Sequence, residues 1–169
     1  MTIVVTASSL VKTSFNFTET QSGTIRSENE SITANRAYTY GTGNFEIDAA
    51  VKNTGVLPSG GSVILDLNAM TNESFGITST VAFSGVKTVT VYNTSTVQNR
   101  DINIRATGSN AFTNLFNGGS GNLLIKPYSS FTYNDPYKLT VSSTQKNISL
   151  FDVSGSGATY EICILGNLT

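Results

Sequence analysis

The sequence predicts an all-β protein: a single-domain antiparallel β-sandwich, jelly-roll-like, over residues 1–169, with a polar N-terminal arm or long loop. Three observations carry this. Apolar and polar side chains alternate with a period of two in run after run, which gives a strand one apolar and one wet face. Clusters of Gly, Pro, Asn, Asp and Ser punctuate the runs at short intervals, as connected short strands require. Stretches with helical spacing are few and short. A chain of 169 residues suits one core, since domains usually run to about 100–200 residues.

The first alternating run places Val11, Thr13, Phe15 and Phe17 on one parity against Lys12, Ser14 and Asn16. The segment 19–44 that follows is polar, with few apolar anchors besides Ile25, Ile32, Tyr38 and Tyr40. Loops of that length usually have a task. It is read as an extended arm reaching a neighbouring subunit, with a weak outer hairpin as the alternative. Phe45, Ile47, Ala49 and Val51 alternate next, then Val63, Leu65 and Leu67 beyond the turn cluster Leu57–Gly61. Leu67–Phe75 and the stretch around Phe112, Leu115 and Phe116 have helical spacing. Phe83, Val89 and Val91 share a parity across Gly85, where a bulge would fit. Ile102–Ala106 and Tyr137–Val141 alternate again. Ala158–Leu165 is apolar on nearly both faces, which predicts a central strand covered on both sides. Ile148–Val153 is expected to pair with it as a hairpin through Ser154-Gly155-Ser156-Gly157.

Only 12% of residues are charged and the net charge is -1, so the field that gathers phosphate backbones is missing and nucleic acid is not an expected partner. No apolar stretch approaches the roughly 18 residues of a membrane span, and MTIVVTASSL is neither a basic nor a long apolar leader. The expectation is a protein made in a cytoplasm, without a membrane partner. The lone cysteine, Cys163, sits in an apolar run and is read as a small core residue.

Chemistry is hard to place on this chain. It has no histidine, which removes the commonest general base and the commonest neutral metal ligand together. Glu46 and Asp48 share one strand face, with side chains about 7 Å apart by strand geometry, a separation two hydrolytic carboxylates could use; solvated strand residues are the plainer reading. Asp66 interrupts an apolar run and is expected to cap a turn. Gly41-Thr42-Gly43 and Gly155-Ser156-Gly157 lack the third glycine and the helix of a phosphate loop. Six Asn-x-Ser/Thr sites, at Asn16, Asn29, Asn72, Asn93, Asn147 and Asn167, are expected to stay bare. Tyr128, Tyr133 and Tyr137 cluster around Pro127 and Pro136. They form a candidate contact or ligand surface, either packing and subunit contact or a face for stacking sugar rings. The absence of tryptophan weighs against the sugar. The expectation is a protein that is not an enzyme, with no cofactor and no metal.

Several segments together resemble a known group. They are Gly41-Thr42-Gly43 with Ile47-Asp48-Ala49, Leu57-Pro58-Ser59-Gly60-Gly61-Ser62, Asp66-Leu67 and Phe75-Gly76. They continue with Val86-Lys87-Thr88-Val89 leading to Asn93, Gly119-Ser120-Gly121-Asn122 running on to Pro127, Tyr160-Glu161-Ile162 and Ile164-Leu165-Gly166. The pattern is similar to the small β-sandwich proteins encoded among the structural genes of tailed bacteriophages. The resemblance covers roughly the C-terminal three quarters and consists of strand and turn patterns. It implies a virion component, a capsid decoration or accessory protein, with tail or fibre placement and a glycan-binding module as alternatives. Its partners would be copies of itself and the major capsid or tail proteins. It transfers no catalytic residue.

Overall fold

A computed structural model describes residues 7–21, 24–74, 77–119 and 121–169, with side chains described over 37–72, 78–119 and 121–169. Phe75-Gly76 and Ser120 of the resemblance, Ser22 and Gly23 of the polar segment, and residues 1–6 of the leader reading lie outside the described residues.

Eight strands build the body in two antiparallel four-stranded sheets. One sheet has β4 (Ala49–Leu57), β8 (Phe83–Asn93), β11 (Ser130–Thr140) and β13 (Ala158–Leu168), in the order β11-β8-β13-β4. The other has β5 (Ser62–Asp66), β9 (Ile102–Arg105), β10 (Asn122–Ile125) and β12 (Asn147–Asp152), in the order β10-β9-β12-β5. First pairs with last throughout: β4 with β13, β5 with β12, β8 with β11 and β9 with β10. The chain is one long ribbon folded back at the β9–β10 connection and rolled up, the jelly-roll arrangement of two Greek keys.

Alternation decides the layers. Val89, Val91, Tyr160, Ile162 and Ile164 of the first sheet and Ile102, Ile104, Ile125, Ile148 and Leu150 of the second are buried in one core. Each such side chain contributes about 1.5–3 kcal/mol. β13 is central, as its two apolar faces predict. Its outer face is covered at one end, where Tyr38 and Ile47 pack on Leu165. Two register shifts between β8 and β13 flank the pairs Gly166↔Val86 and Asn167↔Gly85 and leave Lys87 and Ser84 without a partner position on β13, beside Gly85, where a bulge is expected.

Three expectations are corrected. Ile148–Val153 and Ala158–Leu165 are not a hairpin: β12 and β13 belong to different sheets, and Ser154–Gly157 carries the chain across the core. Over its described residues, 67–74, the stretch Leu67–Phe75 is not helical, because Met70–Ser74 (β6) pairs with Ile77–Val81 (β7) as a small antiparallel hairpin. Among its described side chains, Leu67 and Met70 supply the one buried i, i+3 pair, too little to hold a helix without further apolar neighbours. The run Phe45–Val51 is not one strand either. Phe45 has φ +59 and is exposed, and Glu46–Ile47 (β3) stands apart from β4. The spacing at Phe112–Phe116 does form a helical turn, a 3₁₀ turn at Thr113–Phe116, which closes the fold-back end with Phe112 and Leu115 buried.

Residues 24–40 of the polar segment form one strand. Ala7–Gln21 (β1) pairs antiparallel with Thr24–Tyr40 (β2), in register from Ala7↔Tyr38 to Gln21↔Thr24. At roughly 3.3 Å per residue this ribbon runs about 50 Å. The hairpin, the alternative reading of the polar segment, begins at Ala7, before that segment, and includes the Val11–Phe17 run. β2 meets the body through parallel pairing with β3, at Thr39↔Glu46 and Tyr40↔Ile47. In the order β1-β2-β3, β1 is the free edge among the described residues.

Candidate functional site

The sandwich has two unlike ends. The ribbon is rooted at the end where β4 and β8 begin and β13 finishes. There Lys87, the extra residue at a register shift between Thr88 and Val86, is only 1% exposed. Its ammonium donates to the carbonyls of Gly43 and Glu46. Burial, and next Lys138, lower its pKa below the ordinary lysine value, with Glu46 and Asp48 opposing. Asn167 donates to the Gly41 and Glu46 carbonyls at 3.0 and 3.3 Å. The Tyr38 hydroxyl donates to Asn134 Oδ1 at 3.1 Å, and the Thr88 hydroxyl donates to the same oxygen at 2.6 Å. These bonds fasten the loop 41–46, and with it the base of the ribbon, to the body.

At the opposite end lie the connections β4–β5, β8–β9, β10–β11 and β12–β13, and two buried polar residues organise them. Asp152 ends the inward row Ile148, Leu150 and Asp152 and is fully buried. It accepts from the backbone N–H groups of Gly60 (2.8 Å), Gly157 (2.9 Å) and Ser154 (3.0 Å), and from the Ser154 hydroxyl (2.5 Å). Burial alone would raise its pKa; the Ser154 hydroxyl and the three backbone donors outweigh it and hold the carboxyl at about 2.

Asn93 is likewise fully buried. Its Nδ2 donates to the carbonyls of Arg100 (2.8 Å) and Ile125 (3.0 Å), and its Oδ1 accepts from Ser95 N–H (3.1 Å). Its backbone N–H donates to the Ser129 carbonyl, and its carbonyl accepts from Tyr128 N–H. One side chain thus joins the loops 94–101 and 126–129. Between them lies an open depression of about 550 Å³ lined by Thr96, Gln98, Asn99, Lys126, Pro127 and Tyr128. Lys126 Nζ is 2.6 Å from Asp101 Oδ2. Asp101 Oδ1 is buried without a partner among the described residues, a cost at this place.

The three tyrosines do not form one platform. Tyr128 precedes β11 and is exposed at the Asn93 end. Tyr133 packs against the core, its hydroxyl 3.2 Å from Asp135 Oδ2, and burial followed by the Asp135 charge raises its pKa. Tyr137 is exposed within the register break of β11 between Asn134 and Leu139, toward the ribbon end. Glu46 and Asp48 cap backbone: Glu46 Oε2 accepts from Gly43 N–H at 2.8 Å, and Asp48 Oδ1 from Leu168 N–H at 2.7 Å. Asp66 accepts from Asn68 N–H at 2.9 Å, as its position before a turn predicts, and pairs with Lys146 at 2.6 Å. Cys163 is not a core residue. Its parity faces outward from β13, and it packs, partly buried, against the Tyr38–Ile47–Leu165 cluster; burial pushes its thiol pKa up.

Sequence reasoning missed Lys87, Asn93 and Asp152. The signal for Asp152 was present in Asp152-Val153-Ser154, the spacing of an Asx turn. Asn93-Thr94-Ser95 is the same turn, read there as a glycosylation site. Among the described residues, no cluster of three or more Cys, Asp or Glu could hold a metal ion, and no helix is long and apolar enough to cross a membrane.

No family model matches the chain, and no curated protein matches it. Among solved structures it is similar to the Yersinia pseudotuberculosis-derived mitogen, at 15% identity and a TM-score of 0.36, over 70% of this chain and 86% of that one. A likeness at that level bears on neither fold nor activity.

Proposed function

We propose that the chain is a non-enzymatic structural subunit of a tailed-phage virion, a capsid decoration or accessory protein. It assembles with copies of itself and docks on the particle through its N-terminal ribbon. The observation that carries this reading is the free edge of β1, a strand of 15 residues with no neighbour beyond it among the described residues. A long unpaired edge is a template for another chain, and proteins that stay monomeric shorten, charge or cover theirs. The ribbon is also fastened at its base by Lys87, Asn167 and Tyr38, so a partner held on it would be held to the body. Low charge suits many copies packed side by side. The resemblance of the strand and turn pattern to phage structural proteins supplies the setting.

Light scattering on the full chain tests this. A homo-oligomer that co-sediments with phage particles is the expected result. Thr13→Pro and Ser14→Pro, made singly, probe the edge, because successive N–H groups on β1 point alternately toward β2 and away. The one that removes an outward N–H should dissociate the oligomer and leave the melting of the body unchanged. A wild-type chain that is strictly monomeric and ignores the particle would overturn the proposal. Binding to purified tails in place of heads would move the subunit to the tail.

A further inference from the structure

We infer that the end of the sandwich opposite the ribbon carries a binding site for a neutral saccharide, with Tyr128 as its stacking surface. The depression there has a volume of about 550 Å³, within the range of small-ligand sites. Its chemistry is mixed in the way a sugar requires. Tyr128 offers an exposed aromatic face, 63% accessible, for the C–H face of a pyranose. Thr96, Gln98 and Asn99 are exposed, and their side chains bond to nothing else among the described residues. Their hydroxyl and amide groups are free to donate to and accept from sugar hydroxyls.

Other ligand classes fit less well. Lys126 is the one charged group in the lining, and Asp101 already neutralises it at 2.6 Å. A polyanion or an acidic sugar would have to compete with that carboxylate. A hydrophobic ligand would cover the polar groups of Thr96, Gln98, Asn99 and Lys126 without giving them partners.

The site is built in advance of any ligand. Tyr128 has φ +60 and Asn99 φ +66, and a bulky side chain rarely adopts this left-handed conformation. Tyr128 is held in it by its N–H bond to the Asn93 carbonyl and by the Ser129 N–H bond to Lys126. Strain of this kind, over-determined by its surroundings, concentrates at binding sites. Buried Asn93 fixes both loops at once, and Ser95 Oγ accepts from Thr159 N–H at 2.9 Å to pin the start of the first. A ligand would therefore bind without ordering a loop, which is a large part of the usual cost of association. Tyr133 and Tyr137 take no part. The site does not rest on the assembly proposed above, since it lies within one copy and faces away from the ribbon.

The test is an array of neutral and acidic oligosaccharides probed with the full chain, followed by NMR titration with the free glycan bound best. The expected result is binding to a neutral glycan that persists when NaCl is raised from about 0.1 to about 0.5 M. Tyr128→Asn removes the ring with a residue that tolerates the left-handed backbone and should weaken binding by roughly tenfold or more. Tyr137→Ala should leave it unchanged. Gln98→Ala, at an exposed position, should weaken binding several-fold and decides the matter if Tyr128→Asn lowers the melting temperature. Three results would overturn the inference: no glycan bound, binding only to acidic glycans and lost in salt, or equal binding by the Tyr128 and Gln98 variants.

Discussion

The ring of Tyr160 lies across Gly55 on the neighbouring strand, so close that a β-carbon at Gly55 would stand 2.7 Å from the phenol oxygen. The aromatic covers the glycine and fills the space its missing side chain leaves. Gly55→Ala is expected to cost about 1–3 kcal/mol, the usual range for overpacking, as read by urea denaturation. A β-carbon at Gly166 would instead stand 2.2 Å from the Gly85 carbonyl oxygen. Backbone between two central strands cannot turn aside as a ring can. Gly166→Ala should be the more damaging of the two, and the reverse ranking would refute this account of the β8–β13 approach.

Asp152 should make the body sensitive to acid. Its carboxyl sits at about 2 in the fold against 3.8 as the ordinary value. A depressed carboxyl stabilises the folded state above the unfolded value and loses that contribution as pH falls toward the folded one. The loss therefore runs between about pH 4 and pH 2 and amounts to about 2 kcal/mol. Asp152→Asn should be less stable than the wild type by about that much at pH 7 and should converge with it near pH 2. Denaturation midpoints across this window measure the difference.

Lys87 should hold the base of the ribbon. Lys87→Met keeps most of the buried volume but strips the Gly43 and Glu46 carbonyls of their donor. The expected loss is about 2–3 kcal/mol, together with faster proteolysis at 41–46. If cleavage there stays at the wild-type rate, the lysine does not fasten the loop.

Cys163 should react slowly with a disulfide reagent at pH 8, because burial raises its pKa and Tyr38 belongs to the cluster covering it. Tyr38→Ala should speed the reaction roughly tenfold. An unchanged rate would place the cover elsewhere.

The parity of individual strands was legible in the sequence: Ile102 and Ile104, or Tyr160, Ile162 and Ile164, face the core as alternation requires. Partnership was not. Ile148–Val153 and Ala158–Leu165 look like a hairpin because a short turn joins them, yet their apolar faces meet across the core and their hydrogen bonds run to strands far away in sequence. Alternation cannot distinguish two strands side by side from two strands face to face. Phe45 shows a second limit, since one residue with positive φ breaks a run that composition leaves intact. The tyrosines show a third. Tyr128, Tyr133 and Tyr137 are neighbours in sequence, but the first precedes the strand, the second points inward, and a register break separates the third. For buried Asn93 and Asp152 only the local Asx turn was legible; their other donors and acceptors come from several loops that only the finished fold brings together.

The rolled ribbon also sets an order in time. Ala49 pairs with Gly166 and Leu57 with Ala158, roughly a hundred residues apart, and distant pairings of this kind form slowly. The body cannot close until β13 has left the ribosome, because β13 occupies the middle of its sheet. The hairpin β1–β2 needs only its own residues and is free to form within microseconds of emerging. Under the proposed assembly, each nascent copy would display the free edge of β1 while its own domain was still open, a period in which premature contact between copies is a hazard.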